Sequence, residues 1–351
     1  MTTQAKCRAR LLFGTVLIAS LFACGGTQNN TVGGASQSRF VRYEFSNDAG
    51  TRSYKIFIPS HYRTDSDWPL LIDLHGCGSD ADEEARWSRF NELAELIGLI
   101  VVYPEQTAEA NGSKCWNWFL PEHQGRGVGE PAIIAGITEY IRQIMPIDSR
   151  RVFVSGISAG GAMANIMAVN YPDIFASAMI YAGCEYKGTT CTAGVAALPA
   201  DVSGELAYQA MGAAARVVPV FVIQGDRDVQ VPYPNAELVV QQFLSSGDWA
   251  DDGGNNKSIA REPARLESGS KPNGHSFDIQ YYEDAAGCLL VEYWLIHGLG
   301  HAWSNSASNG SPRDILLTDA LGPDVSSETL RFLLNHPFPE VGKACYQLTQ
   351  F

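Results

Sequence analysis

The segment Gly156-Ile157-Ser158-Ala159-Gly160 is the first place in this chain where residue type and spacing can do chemistry. A G-x-S-x-G pattern is short and recurs by chance, so its neighbourhood decides what it means. An apolar run at residues 152–155 precedes it, and a run rich in small residues, 160–170, follows. A strand that turns sharply into a helix would leave the Ser158 hydroxyl exposed on a strained bend, with the flanking glycines admitting close neighbours. The free N–H groups of the helix start would then face an anion. A serine in that position needs a base, and the base needs a carboxylate to orient it. Asp226 and Asp228 both follow the apolar run 219–224. Asp228, just ahead of Val229-Gln230-Val231-Pro232, is the expected carboxylate, and Asp226 is the alternative. Among the seven histidines, His301 lies in a loop after the run 290–296, within Gly298-Leu299-Gly300-His301-Ala302-Trp303. His297 ends that run and reads as structural, while His75 precedes the serine. Ser158, His301 and Asp228 together would perform acyl transfer through a covalent intermediate.

Such a site also needs donors for the oxyanion that develops on the substrate. The N–H of Ala159, next after the serine, is one. The loop Leu74-His75-Gly76-Cys77-Gly78 follows another apolar run, 70–74, and is expected to supply the second from Cys77, with Gly78 as the neighbouring alternative.

These residues must be held at the ends of strands, and the periodicity supplies them. Strands are expected at 40–45 and 54–58 (a hairpin), 70–74, 99–103, 152–155, 176–181, 219–224, 277–283 and 290–296. Helices are expected at 81–97, 131–145, 160–170, 236–244 and 326–334. The first of these places Trp87, Phe90, Leu93 and Leu96 near one face. Apolar strands alternating with helices predict an α/β fold with a mostly parallel central sheet flanked by helices on both faces. Residues 184–215 and 246–276 break the rhythm and read as loops or insertions. The polar stretch 247–257 reads as a solvated loop, with a calcium loop as the lesser alternative.

Length and composition set outer limits. The chain has 351 residues, of which 18% are charged and 45% hydrophobic, which suits one large domain or two modest ones and excludes a disordered polyelectrolyte or a coiled coil. A formal net charge of -13 argues against a nucleic-acid partner and against electrostatic docking on anionic lipid. Lys6, Arg8 and Arg10 precede an apolar run at 11–23, the layout of a signal peptide and short of the about 20 residues that span a bilayer. The run ends in Leu21-Phe22-Ala23-Cys24-Gly25, which resembles the lipobox of bacterial lipoproteins. It implies a signal peptide over 1–23, a lipidated Cys24 anchoring the chain to the cell envelope, a flexible tether over 24–38 and a folded domain over 39–351. Plain secretion is the alternative. Loss of the three basic residues would take the net charge to about -16. Six cysteines remain after Cys7 and Cys24, an even number that suits an exported, disulfide-bonded chain. Cys184 and Cys191 are close enough to close a small loop, Cys288 and Cys345 would tie a late strand to the C-terminus, and Cys77 and Cys115 remain. No C-x-x-C or zinc-type histidine pair is present, so neither a metal nor a cofactor is expected.

The motifs together resemble the polyhydroxybutyrate-depolymerase-type esterases, kin of feruloyl and acetyl-xylan esterases. The resemblance rests on Asp73-Leu74-His75-Gly76-Cys77, Val101-Val102-Tyr103-Pro104-Glu105-Gln106, Cys115-Trp116-Asn117-Trp118-Phe119 and Arg126-Gly127-Val128-Gly129-Glu130-Pro131. It continues through Gly156-Ile157-Ser158-Ala159-Gly160-Gly161-Ala162-Met163, Asp228 with Val231-Pro232-Tyr233, and Gly300-His301-Ala302-Trp303, covering roughly residues 53–335. It implies an α/β-hydrolase fold, with Ser158 as nucleophile, His301 as base and Asp228 as orienting acid. The implied substrate is a hydroxybutyrate oligomer or a feruloyl or acetyl ester of plant polysaccharide. A Cys77–Cys115 bridge would bring Trp116 and Trp118 to the cleft, with Trp303 as a further wall; burial in the core is the alternative for each ring. Two departures, Gln224 where the family often has His and Ser304-Asn305 where Pro-Gly is common, are expected to touch the rim. A serine peptidase on the same fold and a non-catalytic carbohydrate-binding surface lipoprotein are the alternative functions.

Overall fold

Short apolar runs become the strands of one sheet. The computed structural model describes residues 37–191 and 198–340. In chain order it has β1 (Arg39–Asn47), β2 (Gly50–Ile58), β3 (Trp68–Leu74), α1 (Ala81–Ser88), α2 (Phe90–Ile97), β4 (Ile100–Pro104), α3 (Gly129–Ile144), β5 (Ile147–Ile157), α4 (Ala159–Asn170) and β6 (Ser177–Tyr181). There follow α5 (Ala200–Met211), β7 (Val220–Gly225), α6 (Pro234–Asp252), β8 (Arg265–Ser270), β9 (Ser276–Glu283), β10 (Leu289–Ile296), β11 (Trp303–Ser304), α7 (Pro312–Leu317), β12 (Thr318–Asp319) and α8 (Val325–Asn335). The large sheet has the order β1-β2-β4-β3-β5-β6-β7-β10-β9-β8. Its six central strands, β4 to β10 in that order, are parallel, and the strands at both edges are antiparallel.

Successive side chains of a strand point to opposite faces, and here both faces are buried. Leu70, Ile72, Val152, Val154, Val220 and Val222 enter one core, against α3, α4 and α6. Leu71, Phe153, Met179, Phe221 and Ile223 enter the other, against α1, α2 and α8. The parallel strands all end on one edge, so the loops after β3, β5, β7 and β10 meet there.

The helix expected over 81–97 is two helices. Arg89 takes a left-handed conformation (φ 57°) and its N–H closes α1 on Ala85 O at 3.1 Å. The turn re-aims the chain, so Phe90 and Ala94 are buried while Leu96 is 79% exposed rather than sharing the face of Trp87. The stretches read as loops at 184–215 and 246–276 contain α5, the end of α6 and β8. Small and polar residues there serve close helix packing. A Cβ on Gly204 of α5 would lie 2.2 Å from Ser245 Cβ of α6, and one on Gly247 would lie 3.0 Å from Ile259. The acids of the suspected calcium loop are occupied: Asp251 Oδ2 accepts Ser258 Oγ at 2.6 Å, Asp252 Oδ1 accepts Gly254 N at 3.0 Å, and buried Asp248 accepts Lys257 N at 2.9 Å and Ile259 N at 3.0 Å. Among the described residues no group of acids, histidines and cysteines could hold a metal.

Disulfides join Cys77 to Cys115 and Cys184 to Cys191, in keeping with export. Cys288 is also disulfide-bonded. Its expected partner Cys345 lies outside the described residues, as do the signal segment and Cys24.

Candidate active site

The sharp bend after β5 requires its glycines. Ser158 sits at φ 59°, ψ -123°, between the end of β5 and the start of α4. A Cβ on Gly156 would stand 2.4 Å from Gly160 O, one on Gly160 only 1.9 Å from Leu74 O, and one on Gly161 2.6 Å from Tyr181 O. Side chains at these positions are excluded by backbone, so helix and strand approach closely enough to force the serine outward. Ser158 N donates to Tyr181 O at 2.9 Å, which fixes the bend to the neighbouring strand.

Strands β7 and β10 are parallel neighbours, with Gly225 paired to Ile296 at their ends. The two loops that follow therefore lie side by side. His301 Nδ1 and Asp228 Oδ2 are 2.6 Å apart. The other Asp228 oxygen accepts Gln230 N and Val231 N, each at 2.8 Å. Gln224 Nε2 donates to Asp228 Oδ2 at 3.1 Å and to Val231 O at 3.0 Å. The carboxylate is thus held on all sides, and a carboxylate fixed this way sets the tautomer of its imidazole. Gln224 is fully buried under Asp228 rather than at the rim. Ser304 is buried too, donating from Oγ to Pro323 O at 2.7 Å. Asp226, the alternative acid, is engaged elsewhere, by His297 Nδ1 at 3.1 Å and Gly298 N at 2.7 Å.

The loop after β3 presents the second expected donor. Gly76 O receives Ser79 Oγ at 2.7 Å, Ser79 N at 3.3 Å and His75 Nδ1 at 2.7 Å. A trans peptide points its N–H opposite to its C=O. Fastening Gly76 O on one side therefore turns the Cys77 N–H away from Ser79 and His75. His75 is buried, its Nε2 accepts Gln106 N at 2.9 Å, and burial lowers its pKa, so it stays neutral with the proton on Nδ1. Ala159 opens α4, where a helix leaves its first N–H groups unbonded.

Ser158, His301, Gly76 and Cys77 line one small cleft of about 60 Å³, walled by Trp87, Trp303, Ile157, Leu317 and Gln230. Trp303 is nearly covered and anchored by Nε1 on Ser326 Oγ at 2.9 Å. Trp116 and Trp118 do not border the cleft. Both are buried in the core on the α3 side, and the Trp116 ring packs against that of His75 with centroids 5.5 Å apart. The Cys77–Cys115 bridge thus ties the tryptophan segment behind the loop instead of bringing it into the opening. Glu130 fixes that segment, accepting Asn117 N at 2.7 Å, Asn117 Nδ2 at 2.8 Å and Arg52 Nη2 at 3.2 Å. Trp87 and Leu317 carry no sequence signal for the cleft: the helical period puts Trp87 on a core face, and Leu317 lies in no motif.

Behind the same loop two acids are buried. Burial pushes the Asp73 carboxyl up to about 7 and raises that of Glu84 well above the usual carboxylate range, with Asp73 adding like charge. Ser155 Oγ donates to Asp73 Oδ1, while Asp73 Oδ2 and both Glu84 oxygens have no hydrogen-bond partner among the described residues. Acids whose folded pKa is raised bind protons more tightly in the native state, so stability is lost as pH rises above the unfolded carboxylate value of about 4. Glu84→Gln removes part of that loss. Urea unfolding at pH 5 and pH 8 is expected to show a smaller drop for the variant than for the parent; equal drops would contradict the assignment.

The model of the family "Esterase PHB depolymerase" matches residues 52–264. The chain belongs to this family. Among family relatives, poly(3-hydroxyalkanoate) depolymerase C of Paucimonas lemoignei is 32% identical over 243 residues, covering 66% of this chain and 54% of the relative. Feruloyl esterase B of Neurospora crassa is 30% identical over 188 residues, covering 53% and 58%. The chain spans little more than half the length of these curated relatives. Among solved structures, the acetyl xylan esterase from Aspergillus awamori superposes with a TM-score of 0.61 at 20% identity, over 74% of this chain and 94% of that one. That likeness establishes the α/β-hydrolase fold.

Proposed function

We propose that this chain is a serine esterase that hydrolyses carboxylic esters through an acyl-enzyme. The reading is carried by the 2.6 Å His301–Asp228 bond on the wall of the cleft that Ser158 also lines. With Nδ1 occupied, His301 Nε2 takes the Ser158 proton as Oγ attacks the ester carbonyl. The new C–O bond places negative charge on the carbonyl oxygen, which the Cys77 and Ala159 N–H groups stabilise. His301 returns the proton to the departing alcohol. Water then repeats the sequence, releasing the acid and restoring Ser158.

The proposed substrate is a hydroxybutyrate oligomer or a feruloyl or acetyl ester of plant polysaccharide, a reading supported by relatives named poly(3-hydroxyalkanoate) depolymerase, feruloyl esterase and acetylxylan esterase. A cleft of about 60 Å³ is far below the roughly 300 Å³ at which drug-sized sites begin. It favours a short acyl group, acetyl or 3-hydroxybutyryl, over feruloyl. The basic–apolar leader and Cys24 support export with lipid anchorage to the envelope.

The test is release of acid from an aryl acetate, a soluble 3-hydroxybutyrate oligomer and methyl ferulate, by the mature protein and its Ser158→Ala variant. Turnover of the two short-acyl substrates, absent from the variant, is expected. Preferred turnover of methyl ferulate would contradict the acyl-size reading. No turnover of any ester by folded protein would sink the esterase assignment.

A further inference from the structure

A second histidine sits between two carboxylates beside the proposed site. His297 follows β10 and opens the loop that carries His301. Its Nδ1 is 3.1 Å from Asp226 Oδ2 and its Nε2 is 2.9 Å from Asp278 Oδ2 on β9. A neutral imidazole has one N–H and one lone pair, so it can donate to only one of these acids and must turn a lone pair toward the other. Only the imidazolium satisfies both. The remaining oxygens extend the connection: Asp226 Oδ1 accepts Gly298 N at 2.7 Å, and Asp278 Oδ1 accepts Ser268 Oγ of β8 at 2.6 Å. Backbone bonds run alongside, from Asp226 N to Ile296 O at 3.1 Å and from Arg227 N to Leu299 O at 3.0 Å. The loop holding Asp228 and the loop holding His301 are therefore laced together two residues from one member of the proposed triad and four from the other.

Resting on the catalytic reading above, we propose that His297 is a positioning residue: as an imidazolium bridging Asp226 and Asp278, it locks the His301 loop onto the Asp228 loop. The bridge is open to solvent, since the His297 side chain is 37% exposed. The two carboxylates raise its pKa, Asp278 contributing first and Asp226 second. Of the other charges nearby, Arg227 pairs loosely with Asp226 from solvent, and the rest are held by other partners. Arg227 lies 4.0 Å from Asp226 and is 79% exposed, His275 packs at Gly298 with its Nε2 3.0 Å from Asp319 Oδ2, and Lys271 Nζ donates to Asn305 and to Ala320 O. A group whose folded pKa is raised stabilises the fold below its unfolded value, and that contribution is lost as pH rises through the folded pKa. Alkaline pH thus removes one bond of the bridge, frees the Gly298–His301 segment and lowers kcat with little effect on KM.

The experiment compares the full mature protein with Asp278→Asn and His297→Gln over pH 6–10, reading kcat, KM and melting temperature on one soluble ester. The parent is expected to lose kcat and melting temperature together on the alkaline side. In Asp278→Asn both losses shift to lower pH, by about one unit. In His297→Gln that alkaline limb disappears and kcat is about 10-fold lower throughout, as expected for a small displacement of a catalytic group. A parent flat to pH 10, or variants that fold and keep the parent's alkaline limb, would overturn the proposal. The melting curves judge the bridge without any turnover, so an inactive parent would sink the esterase reading while leaving the bridge decided by its own shift in melting temperature.

Discussion

Asp228→Asn is expected to lower kcat about 10⁴-fold while leaving KM within a few-fold, the scale seen when the orienting acid of a serine–histidine pair loses its charge. The asparagine keeps an oxygen for the Gln230 and Val231 amides, so the loop remains in place. Its amide nitrogen, however, faces His301 Nδ1. That nitrogen must then accept, which puts the imidazole proton on Nε2, where it cannot receive the proton of Ser158. The amide also meets the donor of Gln224, which keeps its bond to Val231 O and loses only the one to residue 228, a modest cost in stability. The fold should survive and the chemistry should not. Steady-state kinetics on a folded variant, judged by circular dichroism, decide it. A loss of less than 10-fold would mean that Asp228 does not orient the base.

The second large effect is on folding. Gly160→Ala places a methyl group 1.9 Å from the carbonyl oxygen of Leu74 and 2.7 Å from that of His75, at the end of a central strand. Backbone of a central strand cannot give way by more than 1 Å without breaking the ladder between β3 and β5. We expect destabilisation of about 4 kcal/mol or more and little soluble protein. Gly112→Ala, with nothing within 4 Å of the added carbon, should change stability by less than about 0.5 kcal/mol. Urea midpoints of the two variants test this directly, and similar midpoints would contradict the close-packing account of the bend.

The positions of Ser158, Asp228 and His301 were legible because each lies at the end of a short apolar strand, and strand ends can be read locally. The sheet was legible for the same reason. Other features were hidden because they depend on partners far away in the chain. Arg89 breaks a helix without glycine or proline, so the helical period ran through it. Ser245, Ser246 and Gly247 look like a loop but belong to α6, where small residues let α5 approach. Trp116 and Trp118 carry no sign of which side they face, and the contact with His75 that places Trp116 behind the loop joins distant segments. Gln224 stands on β7 where its side chain could have pointed to either side of the strand end; only the structure puts it beneath Asp228.

The proposed mechanism requires an activated Ser158. The most direct measurement is the intact mass and peptide map of the protein after exposure to an aryl phosphonate that phosphonylates activated serines. One adduct per chain, on Ser158, is expected, absent from Ser158→Ala and strongly slowed in His301→Ala. A folded parent that stays unmodified, or an adduct on another residue, would contradict the proposed mechanism.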